Sequence, residues 1–119
     1  MIAVIFEVWP SNGRKADYLQ HAERLRGELA QMEGFISVER FQSLSDPDKL
    51  LSLSFWRDEV AVAQWRRHTE HRATQSAGRR GILSDYRLRV AGVIRDYGMA
   101  QRREQAPEDS RLVHDMVIS

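Results

Sequence analysis

The stretch from Phe55 to His71 constrains the fold more than any other part of the chain. An apolar run ends in the aromatic pair Phe55-Trp56 and passes through Arg57 and Asp58 into a helical pattern that carries Trp65, His68 and His71. Trp56 can close a strand, and Asp58 can accept hydrogen bonds from the first free amides of the next helix. Because Trp65, His68 and His71 stand three residues apart, they share one general side of that helix. Large aromatics and titratable imidazoles therefore line one surface, which is expected to form a pocket wall.

The other elements follow from hydrophobic period and turn chemistry. Residues 2–9 are β-branched and aromatic and stop at Pro10, which cannot donate to a ladder, so they read as a strand. Ser11-Asn12-Gly13 makes a turn, and the apolar positions Tyr18, Ala22, Leu25, Leu29 and Met32 then step as one helical stripe, with Gly34 expected as the left-handed C-terminal cap. Residues 35–44 and 49–56 form a hairpin around Ser45-Asp46-Pro47-Asp48. The second helix runs from about residue 59 to the 75–78 region, and residues 82–97 read as a long fourth strand. The order is βαββαβ, an α+β ferredoxin-like arrangement in which right-handed connections put two helices on one face of an antiparallel four-stranded sheet.

That arrangement leaves one sheet face without a cover. In the first strand Ile2, Val4, Phe6 and Val8 point one way while Ala3, Ile5 and Trp9 point the other. Strands apolar on both faces are covered on both faces, so a second copy of the sheet is expected and the chain is read as a homodimer.

Composition removes several classes of function. The 119 residues suit a single domain, and the absence of cysteine excludes disulfides, thiolate nucleophiles and cysteine-based metal sites. His68 and His71 lack the spacing that converges two ligands on one ion, so no metal is expected. Residues 57–103 carry 11 basic and 5 acidic groups, a net +6. Their arginines are interleaved with acids, as on a solvated face, so no nucleic-acid partner is expected, while an anionic small molecule stays compatible. No run of about 18 uncharged apolar residues is present, so the expectation is a cytoplasmic protein with no membrane partner. The chain changes character near residue 98: 1–98 read as one domain, and 99–119 as a polar linker followed by an apolar terminal segment that docks or frays.

With these elements in place, the chain resembles the antibiotic biosynthesis monooxygenase (ABM) domain family of dimeric α+β barrel proteins. The resemblance covers residues 1 to about 98. It rests on the first strand, the Glu33-Gly34-Phe35 corner, Phe55-Trp56-Arg57-Asp58-Glu59 entering the second helix, Trp65 with His71, and the final strand from Tyr86 to Tyr97. It implies a small monooxygenase that uses dioxygen without a cofactor on a flat aromatic or phenolic molecule. In such an enzyme His71 or His68 is the base, Tyr86 or Arg72 the hydrogen-bond donor, and Trp65 the stacking wall, with Phe6, Trp9 and Phe55 as further lining. The same residues suit a non-catalytic dimeric module that binds a small ligand, or a domain that only partners another enzyme, and Trp65 suits core packing as well as a substrate wall. The haem-degrading branch shares the Trp56 to Trp65 spacing, but its pattern places a histidine where this chain has Gln75 and a first-strand asparagine where it has Glu7, which speaks against haem chemistry.

Overall fold

A computed structural model describes the backbone of residues 1–75 and 81–111 and the side chains of residues 1–69 and 81–111. Strand β1 (Ile2–Pro10) leads into helix α1 (Lys15–Leu29), the hairpin β2 (Phe35–Gln42) and β3 (Leu50–Trp56), helix α2 (Glu59–Gln75) and strand β4 (Leu83–Gly92). The sheet order is β2-β3-β1-β4 with every neighbouring pair antiparallel. This is the ferredoxin-like α+β fold read from the sequence. Among the described residues no helix is long and apolar enough to cross a membrane.

Register decides which side chains meet the helices. Val8 pairs with Leu50 and Ile2 with Trp56, so these four project from the same face. Tyr18 and Ala22 of α1 close over Val8 and Leu50, while Leu29 of α1 and Ala61 of α2 close over Trp56. Both helices therefore lie on that face. The opposite face presents Ala3, Ile5 and Glu7 from β1 beside Phe55, Leu53 and Leu51 of β3, with neither helix over them.

Trp56 is the anchor of the helix side. It is 1 % exposed and donates its indole N–H to Ser54 Oγ at 2.9 Å, which satisfies the one polar atom that its burial would otherwise strand. Phe35 meets its ring edge-on at 5.4 Å. Immediately after it, Asp58 Oδ1 accepts the Ala61 amide at 2.9 Å, the cap expected for α2. That amide, and then the Arg57 guanidinium, hold the Asp58 carboxyl below its ordinary range. The cap is thus in force above the ordinary carboxylate pKa and is lost as the pH falls through the lowered one.

Three boundaries differ from the sequence reading. Helix α1 ends at Leu29 with Ala30 as its cap, so Gly34 lies beyond the helix. It adopts a left-handed φ of +83° in the turn into β2, and its carbonyl accepts the Arg57 amide at 2.7 Å. A Cβ there would stand 2.6 Å from the Ala61 Cβ, so the glycine serves the close approach of α2 rather than the end of α1. Strand β4 stops at Gly92 instead of running to residue 97, because after the Val93 amide reaches the Met1 carbonyl no β1 residue remains to pair with it. Residues 99–111, expected as a polar linker, include a 3-10 turn at Arg103–Gln105, and Ala106 is buried. The terminal apolar segment, residues 112–119, lies outside the described residues.

Two stability outcomes follow. Gly34→Ala combines left-handed strain with a clash against Ala61 and should cost about 2–4 kcal/mol. Gly13→Ala, at φ +77° in open space, should cost only about 1 kcal/mol, with urea midpoints giving the comparison. Ser54→Ala leaves the buried Trp56 N–H without an acceptor and should cost about 1–3 kcal/mol by the same measurement.

Candidate active site

The helices cover the helix side of the sheet unevenly. Val8, Phe6 and Val4 of β1 lie opposite Tyr86, Leu88 and Val90 of β4, so all six project toward the helices. Tyr86, Leu88 and Val90 nevertheless stay 61 %, 50 % and 45 % exposed. Three large apolar side chains on the helix side of a sheet, with no described side chain closing over them, make the floor of a groove. Phe6 joins floor to core, touching Tyr86 edge-on at 5.7 Å between ring centres while packing against the Val8 cluster.

Helix α2 forms the wall. It starts beside Trp56, at the Ile2 end of the sheet, and the chain re-enters the sheet at Leu83, beside Pro10, at the opposite end. Trp65 packs with Val4 and Val62 around Trp56, its ring centre 6.2 Å from that indole. His68 stacks on Trp65 at 5.5 Å, completing an aromatic series from Phe35 through Trp56 and Trp65 to the imidazole. Its Nε2 lies 3.3 Å from Glu28 Oε2 of α1. In the neutral tautomer that donates Nε2–H to Glu28, the ring lone pair of His68 is on Nδ1.

The sheet divides the residues expected in one pocket. Phe6, Tyr86, Trp65 and His68 are on the helix side, with Trp65 against Trp56 at the Ile2 end of β1 and Tyr86 opposite Val8 near its other end. They mark two ends of a groove rather than one tight pocket. Trp9 and Phe55 alternate onto the other face. Trp9 donates its indole N–H to Asp46 Oδ2 at 3.0 Å under the Lys49 ammonium, and Phe55 lines a depression of about 360 Å³ with Met1, Ile36 and Val93. Another depression, of about 370 Å³, lies between α1 and β2 and holds none of the expected site residues. The side chains of His71 and Arg72 lie outside the described residues, as does that of Gln75.

Glu7 is also on the face away from the groove, held by Lys49 at 3.2 Å and Arg89 at 3.3 Å. It therefore does not line the groove. Among the described residues no group of three His, Asp or Glu side chains could hold a metal ion. Leu88 and Val90 as groove floor, and Glu28 as the partner of His68, were not expected from the sequence. Glu28 and His68 are 40 residues apart, and no local pattern links them.

Comparison with known proteins agrees with this architecture. The family model for antibiotic biosynthesis monooxygenase matches residues 1–77. The chain is 50 % identical over 116 residues, 98 % of its length, to a protein of Pyricularia oryzae named jasmonate monooxygenase ABM, and it spans only 54 % of that relative. It is 36 % identical over 94 residues to the uncharacterized protein YqjZ of Bacillus subtilis, covering 78 % of this chain and 79 % of the relative. The solved structure of the haem-degrader MhuD from Mycobacterium tuberculosis superposes with a TM-score of 0.67 at 12 % identity, over 82 % of this chain and all of that one, a likeness of fold alone. The family-model match, together with half-identity along nearly the whole chain to a relative of the same name, establishes that the chain belongs to the antibiotic biosynthesis monooxygenase family.

Proposed function

We propose that the chain is an oxygenase that binds a small, flat, largely apolar molecule on the floor made by Phe6, Tyr86, Leu88 and Val90. The observation that carries this reading is the exposed helix-side face of β4, on the side of the sheet where α2 bears Trp65 and a His68 set against Glu28. The Tyr86 hydroxyl is a donor for a carbonyl or developing oxyanion at one end, and His68 is a base at the other.

An electron-rich phenol or anthrone-like substrate needs no further reductant. A ring methylene gives up two hydrogens, one oxygen atom of O₂ becomes its carbonyl oxygen, and the other leaves as water. A second substrate class is favoured by the half-identical relative named for jasmonate. Inserting oxygen into a C–H bond of such an acid gives an alcohol and water, and requires two electrons and two protons from a nicotinamide- or thiol-class reductant. Among the described residues haem is fitted less well: the groove floor offers only the Tyr86 phenol as a ligand, and His68 Nε2 already faces Glu28.

The apolar open face supports a homodimer. Ile5, Leu51, Leu53 and Phe55 are only half-buried there, and a second sheet packed about 10 Å away covers them.

Three outcomes are expected. Oxygen uptake should rise with one member of a panel of hydroquinones and anthrones without added metal, flavin or reductant, or with jasmonic acid once NADPH or dithiothreitol is supplied. His68→Ala should lower that turnover about 10²-fold with little change in KM. Absence of uptake from every compound, with one bound tightly, would leave a binding module in place of the enzyme. Light scattering at micromolar concentration should return twice the 13.8 kDa chain mass, and a monomer would contradict the dimer.

A further inference from the structure

The depression of about 370 Å³ between α1 and β2 combines an apolar base with a charged rim. Leu19, Glu23 and Arg26 stand four and three residues apart on α1, so they share its side toward β2. Val38 and Arg40 stand two apart on β2, and their register with Ser54 and Ser52 puts both on the helix side of the sheet. Because β2 is one edge of the sheet and β4 the other, β3 and β1 separate the depression from the groove floor. The two hollows are distinct.

The base is built from Ala22, which is 4 % exposed, and from Val38, which packs against the Trp56 cluster, with Leu19 half-exposed beside them. Arg40 is the unusual member. It donates a hydrogen bond to the hydroxyl of the buried Tyr18, yet its Nε–H is itself buried and has no acceptor among the described residues. An orphaned buried donor destabilises the empty depression. The Nε–H and a neighbouring Nη–H form the edge of a guanidinium that grips both oxygens of a carboxylate, so a small turn of the group toward an entering ligand satisfies the orphan. Arg26 reaches the mouth from α1. Its nearest carboxylate oxygen, on Glu23, is 3.9 Å away, beyond hydrogen-bond length, so its donors are not committed there. Glu39 borders the depression from β2, but its side chain alternates onto the other face, opposite Leu53. Two guanidiniums against the one carboxylate of Glu23 leave the hollow positively charged.

We propose that this depression is a second small-molecule site, taking a carboxylate that carries a short apolar body, with the carboxylate held by Arg40 and Arg26 and the body resting on Leu19, Ala22 and Val38. The proposal is independent of the oxygenase reading, since it uses none of Phe6, Tyr86 and His68. A volume near the lower end of the range for small-ligand sites, about 300–1,000 Å³, suits a body the size of a phenyl or branched butyl group. Inorganic phosphate is matched less well, because the apolar base offers its outer oxygens no donors.

Phenylacetate and isovalerate are titrated into the isotope-labelled wild-type chain and followed by amide chemical shifts, with phenylacetamide and inorganic phosphate as counterparts that lack the charge or the apolar body. Saturable shifts are expected at Leu19, Ala22, Val38 and Arg40 with at least one carboxylate at millimolar concentration and with neither counterpart. Arg40→Lys keeps a cationic donor beside Tyr18 but cannot grip two oxygens, and should weaken binding about tenfold. Arg26→Gln, at an exposed position that the fold does not depend on, should weaken it about threefold. No saturable shift at the four positions from either carboxylate, equal shifts from phenylacetamide or phosphate, or wild-type affinity in either variant would overturn the site. Shifts confined to Tyr86, Leu88 and Val90 would overturn it as well, by putting the carboxylate in the groove.

Discussion

The structure turns on a mismatch between four apolar strands and two helices. Helix α1 and the first turns of α2 close over β3, β1 and the Trp56 end of the sheet, and the described side chains run out before β4 is covered. Two surfaces are left over from the same shortage: the helix side of β4, and the whole of the opposite face. Exposed apolar area of this kind is costly in water, and for both of these surfaces an occupant is proposed. On the helix side the aromatic floor and oriented imidazole suit a small molecule. On the other side the flat apolar sheet suits another sheet.

The groove depends on the junction between β3 and α2 being rigid. Trp56 is buried with its N–H satisfied by Ser54, Asp58 caps the helix two residues later, and Gly34 lets the helix start come within van der Waals contact of the turn before β2. Together these set the direction in which α2 leaves the sheet, and hence where Trp65 and His68 stand above it. Glu28 then ties the second helix to the first through His68. A site built on helix and strand positions in this way is held more firmly than one built on loops.

Much of this was legible in the chain because it is periodic or local. The alternation in residues 2–9 assigns Val8 and Phe6 to one face and Ile5 to the other, the turn residues place the hairpin, and Asp58 announces its helix. The same alternation separates Phe6 from Trp9, since residues three apart on a strand face opposite ways, so grouping both in one cavity conflicted with the strand period. Glu7 faces away from the groove by the same parity. The Glu28–His68 contact and the bare floor at Tyr86, Leu88 and Val90 were not legible. They depend on the path of α2 across the sheet, which is set by packing at Gly34 and Trp56, and apolar residues look alike in sequence whether a helix covers them or not.

A paired substitution separates the proposed occupants of the two faces of the sheet. Leu88→Lys puts a charge on the groove floor and Leu53→Lys puts one at the centre of the open face. Titration calorimetry with the compound that supports oxygen uptake, run beside light scattering, should show Leu88→Lys losing ligand affinity at least tenfold while staying dimeric. Leu53→Lys should become monomeric. If Leu88→Lys binds ligand as the wild type does, or if Leu53→Lys remains a dimer, the two-faced account is wrong.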